Sequence, residues 1–268
     1  MDILSHTLSG TAVGTVVAAH SGSSFKGKAA IIFFATLGGA IPDLDAISYW
    51  SKFDGTIGQL FNLQHSGKVI YGARFWYSHH AAMHSLSVAL GLPAMLLLLK
   101  SIWIVIRSGR LRAAGQVFKR GLVSSLAFSL GFCIHLLEDM PTPASVWGGV
   151  NLFWPSDVYV GGFGKIWWWN NYDIFLLIVL VIVINLMLLI LRKWMKFRLQ
   201  LTSKIVFALG VILTIYQMNT RPVDFSYSGH TKQYGTFEAQ SKQIQKDLLG
   251  EKLYEFMNAI DNALPLHF

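Results

Sequence analysis

Residues 172–191 form an uninterrupted apolar run, YDIFLLIVLVIVINLMLLIL, whose only charged side chain is Asp173 near its beginning. An α-helix rises about 1.5 Å per residue, so this run is long enough to cross the roughly 30 Å of hydrocarbon in a bilayer. It therefore predicts a transmembrane helix. Five further segments are predominantly apolar and are interpreted as membrane-embedded helices: 4–20, 29–42, 85–106, 121–137 and 203–219.

The six segments predict a polytopic all-α membrane protein with about six membrane-embedded helices. The first two segments are small and rich in glycine, so we expect neighbouring helices to cover them. Composition supports this class, because 53% of the residues are hydrophobic, 13% are charged and the mean hydropathy is +0.46. A single cysteine, Cys133, excludes an internal disulfide framework, a cysteine-rich zinc finger and an iron–sulfur cluster.

The composition changes after residue 219, which divides the chain into a membrane-embedded domain, 1–219, and a C-terminal tail, 220–268. The tail has a helical apolar periodicity over 237–264, which predicts a solvated or interfacial amphipathic helix rather than another span. No basic region precedes the first apolar segment, so we expect that segment to be retained rather than cleaved as a signal peptide. The connection 140–171 is rich in tryptophan and phenylalanine, which favours an interfacial aromatic belt over the alternative, a pocket for a lipid headgroup.

Basic residues are distributed unequally between the two sides of the predicted bundle. If the helices alternate, one side receives twelve of them: Lys26, Lys28, Arg107, Arg110, Arg112, Lys119, Arg120, Arg192, Lys193, Lys196, Arg198 and Lys204. The connections of the other side hold Lys52, Lys68, Arg74 and Lys165. The positive-inside rule makes the first side cytoplasmic. The formal net charge of +8 is thereby largely explained, and no basic stripe interleaved with aromatic residues indicates a nucleic-acid partner.

Potential metal ligands gather at four helix ends on the opposite, extracytoplasmic side. They are His6; Asp43 and Asp45; His79 and His84; and His135 and Asp139. His135 and Asp139 are four residues apart and therefore share one helix face. Pro42 is expected to end its helix in an extended turn from which Asp43 and Asp45 project together.

The chemistry of this set favours a divalent metal. Neutral imidazole and carboxylate ligands suit zinc, and they also suit manganese or iron, better than copper(I). Seven candidate ligands exceed the needs of one tetrahedral zinc ion, so more than one ion is expected. Cys133 lies two residues before His135, about 200° around the helix, and is expected to point away from the metal.

The order of these motifs resembles the YdjM-like family of membrane-bound metal-dependent hydrolases. The residues that carry the resemblance span about 1–160 and are His6; Pro42-Asp43-Leu44-Asp45; His79 and His84-Ser85; His135, Asp139 and Thr142-Pro143; and Trp154-Pro155. The resemblance implies a bacterial cytoplasmic (inner) membrane protein. The family is distantly similar to zinc-dependent phospholipase C and single-strand nucleases, which implies phosphoester chemistry on a cluster of zinc ions.

Two residues depart from the family pattern. His80 stands where the family usually has arginine, and Met83 replaces a threonine. Because a protonated arginine does not coordinate zinc, we interpret His80 as a substrate-binding residue for an anionic group rather than as a metal ligand.

The sequence therefore predicts a membrane-bound metal-dependent hydrolase that acts on a phosphoester of a lipid or lipid-linked substrate, with membrane lipids as its partners. Asp43, Asp45 or Glu138 is expected to take the proton of the attacking water. Two alternatives remain at this point: a metal-binding transporter or sensor, and a non-catalytic structural membrane protein. Transport sites usually lie near the bilayer midplane, whereas these ligands lie at helix ends.

Overall fold

A computed structural model describes residues 1–192 and 198–263 of the chain. No β-strand occurs among these residues, and the predicted all-α class is confirmed. Their α-helices are α1 (Ile3–His20), α2 (Phe25–Ala40), α3 (Gly67–Tyr71), α4 (Leu86–Ser108), α5 (Leu111–Asp139), α6 (Tyr172–Leu191), α7 (Leu199–Asn219), α8 (Tyr234–Leu249) and α9 (Glu251–Ala263). Two 3-10 helices, Pro42–Tyr49 and Ala82–His84, and a π-helical turn, Asp54–Gly58, lie between them.

Within the described ranges, four helices are long and apolar enough to cross a membrane: α4, α5, α6 and α7. A fifth span results if α2 and the 3-10 helix Pro42–Tyr49, which are bent by 42° at their junction, count as one. The structure thus has four to five candidate spans, and the predicted number of six is not confirmed. Serine, threonine, glycine and histidine dilute the apolar content of α1, which explains why it is not among them.

The helix boundaries follow the predicted apolar segments closely, except that one helix extends into a segment that contains basic residues. The helix α6 has the predicted bounds, whereas α5 starts ten residues earlier than predicted and takes Arg112, Lys119 and Arg120 out of the expected loop. The turn between α4 and α5 is short because Gly109 adopts φ 65° after the last helical residue. Lys193 and Lys196 of the predicted basic connection lie outside the described residues.

Helices α1, α2 and α5 pack so closely that their backbones touch. A Cβ atom added to Gly131 of α5 would lie 2.0 Å from the carbonyl oxygen of Ala35 in α2, and one added to Gly39 would lie 2.3 Å from that of His6. Small residues permit such approach between membrane helices, and dispersion contacts then hold the helices together. This packing brings the start of α1 beside the ends of α2 and α5.

The C-terminal tail packs on the connection 140–171 as two helices rather than one. The single helix predicted over 237–264 is interrupted at Gly250, whose φ of 73° separates α8 from α9. Trp167 is fully buried in a cluster with Phe225 and Ile244 of the tail. The belt predicted for this connection therefore needs correction at Trp167, because the tail covers that side chain.

Candidate metal centre

The predicted convergence of four helix ends is present in the structure. His6 lies in the first turns of α1, and His135 and Asp139 lie one turn apart at the end of α5. The α5 helix ends at Asp139, just before the Thr142-Pro143 motif, and the Thr142 hydroxyl donates to the backbone carbonyl of Asp139 at 2.6 Å. His84 ends the 3-10 helix Ala82–His84, immediately before α4. The polar face formed by these helix ends is buried.

Asp43 and Asp45 lie in a 3-10 helix rather than in the extended turn that the sequence predicted. Pro42 is its first residue, a position where the fixed φ of proline suits a helix and its missing N–H is not needed. With three residues per turn, side chains two positions apart point about 120° away from each other. The two carboxylates consequently face different parts of the histidine cluster.

The innermost group of potential ligands consists of His6, His135 and Asp139. The distance from His6 Nε2 to Asp139 Oδ1 is 3.0 Å, and that from His135 Nε2 to Asp139 Oδ2 is 3.1 Å. The two imidazole rings are stacked with centroids 3.7 Å apart, and both side chains are fully buried. Asp139 Oδ1 also accepts from the amino group of Met1 at 2.8 Å.

A second group of potential ligands consists of His135, which also belongs to the innermost group, together with Asp43 and His84. Asp43 Oδ1 lies 3.7 Å from His84 Nε2 and 3.6 Å from His135 Nε2. The Nε2 atoms of His84 and His135 are 3.3 Å apart and face each other. Because His135 belongs to both groups, the ligand atoms form one continuous cluster.

The third group consists of His79, His80 and His84, whose potential ligand atoms lie within 4.8 Å of one another. All three side chains are buried. His80 has a φ of 62°, in the left-handed region that few residues other than glycine adopt, although histidine is found there more often than most. Its carbonyl accepts from the Asn151 N–H at 2.9 Å, which helps to hold this conformation. Such outliers are concentrated at functional sites.

Backbone carbonyls orient two of the five histidines. His135 Nδ1 donates to the carbonyl of Gly39 at 2.7 Å, and His80 Nδ1 donates to that of Gly149 at 3.0 Å. A carbonyl can only accept, so Nδ1 carries the proton in each ring and the neutral ring has its lone pair on Nε2. Both rings are therefore prepared to coordinate a metal through Nε2.

Carboxylates orient the other three. Asp45 accepts from His79 Nδ1 at 2.6 Å with one oxygen and from His84 Nδ1 at 3.0 Å with the other. Glu138 accepts from His6 Nδ1 at 2.9 Å and, with its second oxygen, from the hydroxyl of Ser9. Metal-bound histidines almost always donate their other nitrogen in this way. Asp45 and Glu138 thus occupy the positions of orienting partners around the cluster.

The donor set fits a divalent cation. His6 Nε2 and Asp139 Oδ2 are buried without a hydrogen-bond partner in the part of the chain that the structure describes. Buried polar atoms are normally paired, and a metal ion would satisfy both. Burial lowers the pKa of His84, but Asp45, Asp43 and Asp139 outweigh burial and raise that pKa to about 10. The same negative field favours a bound cation.

A cavity of about 940 Å³ opens onto the cluster. Asp43, Asp139, His79 and His80 line it, whereas Asp45 and Glu138 do not. Trp147 and Trp168 of the predicted aromatic connection also line it, whereas sequence reasoning did not select Lys68, Tyr71, His230 or Tyr234 for the site. These residues come from separate connections and from the tail, and no local motif marks them.

His20, His65 and the single cysteine stand apart from the cluster. His20 Nδ1 contacts the carbonyl of Val16 at 2.9 Å, and His65 stacks on Phe75. Cys133 packs against an apolar core cluster around Phe132. His230 lines the cavity, although no motif in the sequence selects it, and His267 lies outside the described residues.

Comparison with known proteins identifies the family of the chain. The family model described as YdjM inner membrane protein matches residues 1–221, which include every potential ligand of the cluster. Neither the curated proteins nor the solved structures gave a significant match. Since the match covers most of the chain and the histidine and aspartate residues of the resemblance meet in one cluster, the chain belongs to the YdjM inner membrane protein family.

Proposed function

We propose that the protein is a metal-dependent hydrolase of the inner membrane that cleaves a phosphoester of a lipid or lipid-linked substrate. One observation carries this proposal. Five buried imidazoles, each with Nδ1 bound to an oxygen, surround two carboxylates at the end of an open cavity. A purely structural polar cluster would not need five rings that are each oriented through Nδ1, with the Nε2 atoms of His84 and His135 facing each other at 3.3 Å.

Zinc is the proposed metal, and the size of the cluster favours more than one ion. Two groups of potential ligands share His135, and two share His84. Oriented imidazoles and carboxylates are common ligands of catalytic zinc, while manganese and iron accept the same donors. Asp43 and Asp139 are the carboxylates proposed to bind the metal directly, and Asp45 and Glu138 are proposed to act through the histidines that they orient.

The catalytic chemistry is divided between the metal and the side chains. Bound divalent ions would polarise the phosphoryl oxygen and lower the pKa of a water molecule. Asp43 is the carboxylate proposed to accept the proton of that water, because it lines the cavity and its side chain is 12% exposed, against 3% for Asp139. Lys68, which lines the same cavity, is proposed to hold the anionic group of the substrate.

The surroundings of the cavity support a lipid as the proposed substrate. Four to five candidate spans place the cluster in a membrane protein, and the cavity has aromatic side chains beside the ligands. The unequal distribution of basic residues supports an extracytoplasmic position for the cavity. A phosphoester at the membrane surface would reach the cluster while its apolar chains remain in the bilayer.

The proposal is tested by metal analysis and hydrolysis measured on the same detergent-purified samples. We expect bound zinc in the wild type, together with hydrolysis of one member of a panel of phospholipids and soluble phosphodiesters. His135→Ala and Asp139→Ala should each lower the bound metal and reduce hydrolysis by about 100-fold or more, since even orienting partners cost 10- to 100-fold.

Cys133→Ala is the matched control, because Cys133 lies on the same helix and packs against apolar side chains. It should retain both metal and activity. Wild-type protein without metal would overturn the proposal. Metal without hydrolysis across the panel, combined with metal uptake into proteoliposomes, would favour a transporter instead.

A further inference from the structure

The C-terminal tail is joined to the connection that follows α5 by a run of backbone hydrogen bonds. The Ser145 N–H donates to Tyr227 at 3.1 Å, and the Gly229 N–H donates back to Ser145 at 2.7 Å. The Phe225 N–H donates to Gly164 at 2.8 Å. Gly164 has a φ of 58°, and a Cβ atom there would lie 2.2 Å from the backbone nitrogen of Ser226. The tail is therefore fixed directly beside the segment that follows α5, the helix that carries His135 and Asp139.

A second, buried connection fixes the tail at the start of α6. Arg221 donates to both oxygens of Asp173 at 2.9 Å, and both side chains are 4% exposed. The amide oxygen of Gln245 in α8 accepts from the Asp173 N–H at 3.0 Å. Both contacts come from the single Nη2 atom of Arg221, so this buried ion pair holds the start of the tail against the first turn of α6.

Aromatic side chains continue from the tail to the potential ligands. The ring of Tyr234 lies 5.7 Å from that of Trp168, and Trp168 lies 6.3 Å from Trp147. Trp147 in turn lies 5.1 Å from His79 and 4.7 Å from His80. These centroid distances fall within the range of favourable aromatic pairs. Tyr234 is thus the outer end of an aromatic wall that reaches the metal centre.

Two tail residues, His230 and Tyr234, line the same cavity as Asp43 and Asp139. Both follow the part of the chain that the family model matches, which ends at residue 221. The cavity is thus completed by a segment beyond the match. Phenol and imidazole groups can donate hydrogen bonds to an ester or hydroxyl oxygen, and the aromatic wall offers apolar contact.

We propose that Tyr234 and His230 are substrate-binding residues that contact the part of a phospholipid next to its phosphate, so that the tail determines which lipid is accepted. This inference rests on the proposed hydrolysis of a lipid phosphoester. The metal centre supplies the reaction, and the tail supplies selectivity beyond the phosphate. The occupant is a phospholipid, and dihexanoylphosphatidylglycerol is the probe because it carries the anionic phosphodiester that Lys68 would favour.

Occupancy of the cavity can be measured without turnover. In a Cys133→Ala background, we would introduce Tyr234→Cys or, as a matched control two residues away, Lys232→Cys, whose side chain is exposed and does not line the cavity. The probe lipid should slow maleimide labelling of position 234 at least fivefold and leave position 232 unchanged. Equal labelling of position 234 with and without lipid, or equal protection of both positions, would overturn the inference. His230→Cys provides a second position if Tyr234→Cys does not fold.

The consequence for selectivity is measured by kinetics on the same lipid. Tyr234→Ala should raise KM about tenfold with bound metal unchanged, Tyr234→Phe should fall between it and the wild type, and Lys232→Ala should match the wild type. Unchanged KM in Tyr234→Ala would overturn the inference. Failure of the proposed hydrolysis would show as an inactive wild type, whereas lipid protection of position 234 would still report binding.

Discussion

Two aspartates of this cluster, Asp43 and Asp45, have different roles because their carboxylates face different atoms of the histidine rings. Asp43 and Asp45 are two positions apart, yet Asp43 faces the Nε2 atoms and the cavity, while both oxygens of Asp45 are engaged by Nδ1 atoms of His79 and His84. Replacing Asp45 would release two rings at once. If the cluster binds a metal as proposed, we expect Asp45 to contribute indirectly but strongly, as is typical of orienting carboxylates.

His80 is the residue whose role the sequence and the geometry describe differently. The family pattern places arginine there, which predicts an anion-binding residue, and His80 does line the cavity. It also lies with His79 and His84 in a group of potential ligands. Burial, followed by the neighbouring His79 and His84, lowers the pKa of His80 well below its ordinary value, so the ring is neutral when no metal is bound.

We predict that His80→Arg retains the metal of the innermost group, whereas His84→Arg loses most of the bound metal. His84 belongs to two of the three groups, and a guanidinium cannot replace its coordinating nitrogen. Metal per protein, measured for both purified variants side by side, decides the role. If His80→Arg removes metal as completely as His84→Arg, His80 is an essential ligand and the anion-binding interpretation is wrong.

At the scale of the helices, the centre depends on how closely α2 approaches α1 and α5. Gly39 allows the backbones of α2 and α1 to touch, and Gly131 allows those of α5 and α2 to touch. The carbonyl of Gly39 also accepts from His135, so the helix contact and the orientation of a candidate ligand depend on the same residue. Helix packing and metal geometry should therefore fail together.

We predict that Gly131→Ala lowers the stability of the protein in detergent by about 1–3 kcal/mol, because the added methyl group forces the backbones of α5 and α2 apart. Gly91→Ala in α4 is the matched control, since nothing lies within 4 Å of a Cβ atom there. Thermal unfolding and bound metal should be measured for both. A Gly131→Ala protein as stable and as metal-rich as Gly91→Ala would contradict the predicted role of the close approach.

The whole molecule combines a lipid-facing exterior with a polar interior at one end. Large apolar side chains such as Leu90 and Leu96 in α4, Met187 in α6 and Ile212 in α7 are at least half exposed, as expected of helices that face lipid. The potential ligands and the cavity lie together where α5 ends and α1, α4 and α6 begin. For the site to form, α5 must therefore run antiparallel to α1, α4 and α6.

We predict that the connection 140–171 is extracytoplasmic and that the turn between α4 and α5 is cytoplasmic, from the excess of basic residues near that turn. In a Cys133→Ala background, Ser156→Cys and Ser108→Cys are suitable positions because both serines are exposed. A membrane-impermeant thiol reagent added to intact cells should label Ser156→Cys alone. Labelling confined to Ser108→Cys would place the cavity on the cytoplasmic side.

The sequence by itself determined the class of the protein and most members of its candidate site. Apolar length predicts a span without tertiary information, because crossing hydrocarbon sets a minimum number of apolar residues. The four-residue separation of His135 and Asp139 fixes their common face, since helix geometry is local. Alternation of the helices then places His6, Asp43 and His84 at the same end.

Only the tertiary structure decided which polar groups touch and which helices are covered. The roles of Asp45 and Glu138 as orienting partners depend on contacts across 34 to 132 residues of sequence, and no local periodicity encodes such contacts. Whether α1 is covered by neighbouring helices depends on close backbone contact at glycines, and the same glycines could equally occur in an exposed helix. The position of the tail beside the cavity was likewise not predictable from the sequence. The contact between Trp167 and Tyr234 joins segments that are distant in sequence, and it depends on complementary shape rather than on the pattern of either segment.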